Sequence, residues 1–374
     1  MQDRPRIGFD LSEKEGLSLL GATPLVAETP EELLDDSTTP IARFFVRNNG
    51  LLPEPAADPD AWTFTVDGEV ERPLRLTLAE LKSRYPHKAF HMVLECGGNG
   101  RSFFEPKAEG NPWTHGGVGC AEWTGVSLAD VLRDAGLKDS AVFTGHFGAD
   151  PDKHGSYERQ AMSRGVPIAK ALEEHTLLVW AMNGEPLPFI HGGPLRLIVP
   201  GWPGSLSQKW LTRIWIRDRE HDGPGMTGLS YRVPVHPLAP GADARGVALR
   251  ILESMPVRSI VTAPADGARY PTGTHRIEVR GAAWAGDDEV ARVEVSGDGG
   301  ATWTGAAMTP PRNRYDWVRW NASLALPGGG THEILARATD ARGRAQPLRP
   351  ENWNPNGYGC NVVHRVAVTV GPEA

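Results

Sequence analysis

Leu94-Glu95-Cys96-Gly97-Gly98-Asn99-Gly100-Arg101 is the stretch on which the reading of this chain turns. The apolar run Ala89 to Leu94 has the character of a strand, and it ends in a cysteine followed by glycines at three of the next four positions. Glycines there let the backbone approach a bulky ligand, and the fixed cation of Arg101 favours a thiolate. The same residues also suit a buried thiol before an ordinary glycine turn, so both readings of Cys96 stay open on this segment alone.

Working outward, two other segments carry polar groups of one kind. Pro188-Phe-Ile-His191-Gly-Gly-Pro-Leu-Arg196 leads into Gly204-Ser-Leu-Ser207-Gln208-Lys209-Trp210. A histidine, an arginine, hydroxyls and a lysine set among glycines and prolines can bind a phosphate-bearing cofactor, or can form a solvated basic loop. Upstream, Phe44-Phe45-Val46-Arg47-Asn48-Asn49 places a cation and two amides after an aromatic pair. Several familiar alternatives fail: there is no GxSxG elbow, no GxxxxGK[ST] loop and no HExxH helix, and the glycines after Cys96 do not space as GxGxxG. Asp150-Pro-Asp152 imitates the start of a calcium loop, but Ala161 stands where a bidentate Glu is required, so it reads as a turn. A zinc site from Cys96, Cys120 and His91 or His115 stays open, although its spacing follows no recurring zinc pattern.

The chain has 374 residues, too many for one ordinary domain. With 39 basic against 46 acidic side chains the net charge is −7, which removes the footprint of a general nucleic-acid binder and makes any anion site local. Three cysteines, Cys96, Cys120 and Cys360, contain no CxxCH, so no covalent haem is expected in this chain. No run approaches the roughly 20 apolar residues of a membrane span, and Met1 to Leu20 lacks the pattern of an export signal. The expected location is the cytoplasm as the sequence is written, or the periplasm if a leader has been removed.

Helices are expected to be few and short. Thr29 to Glu32 and Thr77 to Glu80 read as capping boxes, and Ser127 with Asp130 opens Leu128 to Leu137. Trp62 to Val66, Leu177 to Met182 and Pro194 to Val199 read as strands among irregular segments. Arg217 to Arg245, rich in Gly, Pro, Asp and His, reads as a linker or a long loop wrapping the first domain. Beyond it, His275 to Arg280, Val290 to Val295, Thr331 to Ala338 and Val363 to Val370 alternate with period two, as in a β-sandwich.

Taken in order, these segments closely resemble the sulfite oxidase family of molybdenum enzymes. Phe45-Val-Arg-Asn48 resembles the family's leading motif, Glu95 to Arg101 its molybdenum-cysteine loop, and Gly117 to Trp123 the segment that follows. Met182 to Arg196 with Gln208-Lys209-Trp210 is similar to its pterin-binding stretch, and Trp353 to Tyr358 with His364-Arg-Val366 to the end of its dimerisation domain. The resemblance implies an α+β fold: a mixed α/β molybdopterin-binding domain at 41–248, after an N-terminal extension at 1–40, then an immunoglobulin-like β-sandwich dimerisation domain at 249–374. It implies Mo-molybdopterin as cofactor, with Cys96 as the metal ligand. Phe45, Val46, Arg47, Asn48, Asn49, His191, Arg196, Ser207, Gln208 and Lys209 would hold the pterin and its phosphate. Cys96, Arg47 and Arg101 are implied as catalytic, with Trp113 lining the same pocket.

The implied activity is oxidation of sulfite to sulfate by oxygen-atom transfer, in a homodimer that passes electrons to an external one-electron acceptor such as a c-type cytochrome. The alternatives are a reductase of nitrate or of an S- or N-oxide with the same cofactor, and a cofactor-free β-sandwich interaction module. This sequence departs from the family pattern at three places. Asn49 stands where histidine is common, Met162 stands where a pocket tyrosine is expected, with Tyr157 the nearest, and Asn356 replaces a third substrate arginine.

Overall fold

The computed structural model describes residues 11–371 and is built mostly of sheet, with three short α-helices among those residues. Its first part holds two main sheets. In one, His87–Glu95 pairs antiparallel with Val118–Ser127, which pairs with Leu177–Met182, and Arg196–Ile198 adds to the last of these. In the other, Leu74–Thr77, Thr63–Gly68, Leu211–Arg217 and Phe143–Gly148 lie side by side. Phe64, Val66 and Ile214 of the second sheet meet Val126, Leu178 and Leu197 of the first in one buried cluster. Helix Leu128–Ala135 lays Val131 and Leu132 into the same cluster.

The capping box at Leu78–Arg84 forms as the sequence suggests: Thr77 Oγ1 accepts from Glu80 N–H, and the Glu80 carboxylate accepts from Thr77 N–H at 2.7 Å. Thr29 behaves otherwise. Its hydroxyl donates to Arg43 O at 2.6 Å, so Glu31–Leu34 is only a 3-10 turn with no side-chain cap. Ser127 precedes its helix without a capping bond.

The second part is two sheets around one core. Arg258–Ala263, Arg276–Trp284 and Val318–Ala325 form most of one, and His364–Val370, Gly330–Asp340 and Val290–Ser296 most of the other. Alternation decides which face is inside: in Arg276–Trp284, Ile277 and Val279 are buried while Arg276, Glu278 and Arg280 are exposed. Between the two parts, 217–257 wraps rather than links, with hairpin strands Arg232–Pro234 and Leu249–Ile251 and with Met226 and Tyr231 buried.

One buried ion pair ties the sandwich to the cysteine loop. Arg258, fully buried, donates from Nη1 to the carbonyls of Asn99 (2.9 Å) and Cys360 (2.7 Å) and lies 3.3 Å from Glu95 Oε1. Its Nη2 donates to His115 Nδ1 at 2.9 Å, which needs a neutral imidazole. Burial first, and then His364 and Arg258, hold the His115 pKa well down and so keep it neutral. Trp284 Nε1 donates to the second Glu95 oxygen at 2.8 Å, and Asn99 Nδ2 to the first at 3.0 Å.

Arg258→Met strands the Glu95 charge and is expected to cost about 3–5 kcal/mol, whereas adding Glu95→Gln restores part of the loss. Denaturant titration of both variants checks this. Equal stability of wild type and the single variant would remove the pair from its structural role.

Candidate functional site

Three chain segments converge where the first sheet ends. His87–Glu95 runs antiparallel to Val118–Ser127 until Glu95 faces Val118, and Cys96 then turns out at the sheet edge. The turn is closed by Cys96 N–H on Gly117 O (2.8 Å), Asn99 N–H on Cys96 O (2.9 Å) and Gly117 N–H on Asn99 Oδ1 (3.0 Å). Gly100 sits at φ +84, a conformation that favours glycine, and starts the turn carrying Arg101.

The second segment is fixed by aromatic packing. Phe44 and Phe45 stack at 5.3 Å, Phe44 meets Trp123 and His191 edge-on, and Phe45 meets Trp113. Val46–Arg47 pairs with Leu25–Glu28, and Val46 packs among Ala27 and Ile190, away from the open space. Arg47, Asn48 and Asn49 are thereby turned inward. In the third segment Arg196 Nη1 donates to His191 O (2.7 Å), and Ser207 Oγ accepts from Val199 N–H (3.0 Å). Lys209 Nζ donates to Asn48 Oδ1 (2.8 Å) and Ile190 O (2.7 Å). Gly192, at φ +104, leaves room that a Cβ would take from Lys209, 2.7 Å from its side chain.

The outcome is a narrow slot of about 50 Å³ lined by Phe45, Arg47, Asn48, Asn49, Cys96, His191, Arg196, Ser207, Gln208 and Lys209. On the far side of Cys96 lies a wider cavity of about 270 Å³, walled in part by Arg101, Trp113 and Asn356. Arg47, Cys96 and Tyr231 border both spaces. Sequence reasoning thus assembled all of the slot-lining candidates it named except Val46, which lies behind the wall.

Charge is the slot's main feature. His191 and Arg196 are buried and Lys209 partly so, and desolvation is the first cause that lowers the pKa of each. For His191 and Lys209 the neighbouring cations add to it, so both are held well down. Burial also raises Asp150, the carboxylate on the slot wall, to about 6. Lys14 extends the cluster: it lies 2.7 Å from His191 Nε2, donates to Ile41 O (2.6 Å), and is lowered to about 8, chiefly by burial. Arg196 Nε is a buried donor without a partner among the described residues. A bound phosphate would supply the missing acceptor and counter-charge, so the donor set fits a phosphate-bearing cofactor with a thiolate at its open end.

Sequence reasoning missed Lys14 and Tyr231. Lys14 has no motif around it. Tyr231 lies in the Gly- and Pro-rich stretch read as a linker, and φ +48 at a non-glycine residue marks it as held in place by its surroundings. Tyr157, by contrast, is 54% exposed and borders a different surface cavity, with Trp62 and Thr212. The zinc candidates do not assemble: Cys120 Sγ donates to Asp316 Oδ1, His115 packs on Arg258 and His364, and no group of three His, Cys, Asp or Glu among the described residues could hold a metal ion.

Comparison with known proteins gives the same two-part division. The family model for an oxidoreductase molybdopterin binding domain matches residues 51–225, and that for a Mo-co oxidoreductase dimerisation domain matches residues 250–371. The sulfite oxidase of Gallus gallus is 35% identical over 94% of this chain and 77% of its own length. Nitrate reductase [NADH] 2 of Phaseolus vulgaris is 31% identical over 94% of this chain and 42% of its own length. Among solved structures, the sulfane dehydrogenase SoxCD of Paracoccus pantotrophus superposes with a TM-score of 0.78 at 26% identity, covering 93% of this chain and 85% of its own.

The lowered pKa values of Lys209 and His191 have a measurable consequence. An anion entering the slot raises both pKa values, so binding takes up protons and tightens as pH falls. Titration of cofactor-free protein with inorganic pyrophosphate, in buffers of different ionisation heat, should show net proton uptake. Lys209→Met should weaken binding by about 1.5–3 kcal/mol. Proton release on binding would refute the charge assignment.

Proposed function

Because the chain belongs to the sulfite oxidase family, we propose that it oxidises sulfite to sulfate at a molybdenum centre held by molybdopterin and hands the electrons to an external one-electron acceptor, for which a c-type cytochrome is suited. The observation that carries this reading is the cationic slot that ends at Cys96, with an anion-accessible cavity on the thiol's other side. When bound, the Mo-molybdopterin group supplies the oxygen-atom transfer and the two-electron redox change.

The chain's own residues divide the remaining work. Cys96 would be the protein's thiolate ligand, a soft donor suited to such a metal. Lys209, Arg196 and His191 would neutralise the phosphate, while Asn48, Asn49, Ser207 and Gln208 offer polar groups to the heterocycle and Phe45 shapes its wall, with Val46 packed behind it. The slot is narrower than such a cofactor, so side chains that now bond one another would exchange those bonds for the ligand's. Arg47 and Arg101 would draw in and orient the oxyanion through their planar donor sets. Trp113, fully buried, packs at the wall of the same cavity.

The proposed organisation is an extension at 1–40, a cofactor domain at 41–248 and an immunoglobulin-like sandwich at 249–374 through which two copies pair. The matched dimerisation domain supports the pairing, and the two face-to-face sheets support the sandwich. No helix of the described residues is long and apolar enough to cross a membrane. Nitrate reduction is the less favoured reading, since the bean enzyme is matched at lower identity and over less of its length.

Holoenzyme should reduce ferricyanide in a sulfite-dependent manner and release sulfate. Arg101→Gln should lower kcat/KM for sulfite by about 10–100-fold, mainly through KM, as expected for one charged hydrogen bond. Consumption of nitrate with a reduced dye, and none of sulfite with an oxidised one, would reverse the assignment.

A further inference from the structure

The cavity beyond Cys96 has two unlike ends. Its volume is about 270 Å³, space that the metal at Cys96 and the substrate would share. The inner end is rich in donors. Arg101 is 8% exposed, and its Nε and Nη1 are spent on the carbonyls of Asn356 (2.6 Å) and Asn111 (2.9 Å), which leaves Nη2 for a ligand. Arg47 borders the same space, and Trp113 packs at its wall.

The outer end is different in charge and in surface. Glu109 is exposed on the cavity wall, and its carboxylate has no hydrogen-bond or ion-pair partner among the described residues. Asn356, also on the wall, contributes no charge. Tyr231 and Tyr358 line the same space, stacked at 4.8 Å with their planes 18° apart. Arg164 lies beneath Tyr231 at 4.4 Å and Arg101 over Tyr358 at 5.4 Å, so the ring pair is clamped as a firm apolar face. A dianion gains nothing from a free carboxylate at the mouth. A molecule with an anionic head, a short carbon body and a cationic tail matches all three zones.

We propose that this cavity takes a short aminoalkyl sulfinate, its sulfinate between Arg47 and Arg101, its carbons against the tyrosine stack and its ammonium at Glu109. This rests on the oxygen-transfer reading of the Cys96 centre given above. The reaction is R–SO2⁻ + H2O → R–SO3⁻ + 2 H⁺ + 2 e⁻. The sulfur lone pair becomes a new S–O bond, the oxygen is replaced from water, and two protons go to solvent. The two electrons leave singly to a one-electron acceptor, here ferricyanide.

The test compares holoenzyme and Glu109→Gln with 2-aminoethanesulfinate, methanesulfinate and sulfite, with two ferricyanides reduced per product formed. The wild type should oxidise 2-aminoethanesulfinate with a higher kcat/KM than methanesulfinate. Glu109→Gln should lower kcat/KM for the amino compound about two- to fivefold, as for one exposed ion pair, and raise it for sulfite. Calorimetric binding of the products gives a readout apart from turnover: the variant should bind 2-aminoethanesulfonate more weakly and sulfate more tightly. Oxidation of sulfite without oxidation of 2-aminoethanesulfinate would overturn this inference and leave the proposed function standing. Oxidation of none of the three by molybdenum-loaded enzyme would overturn both. Equal changes for all three substrates in Glu109→Gln would overturn the ammonium assignment.

Discussion

Gathering Lys209, Arg196 and His191 around one slot, the last two buried and Lys209 partly so, with Lys14 beside them and Asp150 the carboxylate on its wall, is unfavourable in the absence of a counter-ion. Desolvation of each cation costs several kcal/mol even after relaxation, and their mutual repulsion adds to it. The free protein answers by shifting protons: His191 and Lys209 are pushed toward neutrality and Asp150 is raised to about 6. An anionic ligand reverses those shifts and turns the penalty into binding energy. Much of the surrounding fold holds these groups in place against that cost.

The holding is done by apolar packing and by one ionic tie. Phe44, Phe45, Trp113, Trp123 and Leu94 belong to a single buried cluster that also contains Cys96, so the thiol and the leading loop share one support. Arg258 then joins the backbone of the cysteine loop to the first strand of the sandwich through Asn99, Cys360 and Glu95. The C-terminal part is therefore more than a pairing surface. It sets where the Cys96 turn sits, and a sub-ångström shift there would be felt at Cys96, the proposed metal ligand.

Local order was legible in the sequence where one signal dominates. The box at Thr77 and Glu80 forms because both partners face solvent with no competitor, while Thr29 is taken by the Arg43 carbonyl and its helix shrinks to a turn. The period-two strands of the C-terminal part appear where alternation placed them. The slot was legible because its residues lie in three compact motifs whose chemistry agrees. Tyr231 was not, because its position depends on how 217–257 folds over the cysteine loop, and a Gly- and Pro-rich stretch carries no period from which that path could be read. Lys14 was hidden for the same reason: a lone lysine gains meaning only from the carbonyls and imidazole that tertiary folding brings to it.

The most direct measurement is a count of molybdenum and pterin per chain, in wild type and Cys96→Ser purified from cells that make molybdopterin. The proposed site predicts about one of each in wild type, and in Cys96→Ser retained pterin with molybdenum lost or inactive, since the slot and the thiol would hold different parts of the cofactor. A folded wild-type chain containing neither would contradict it.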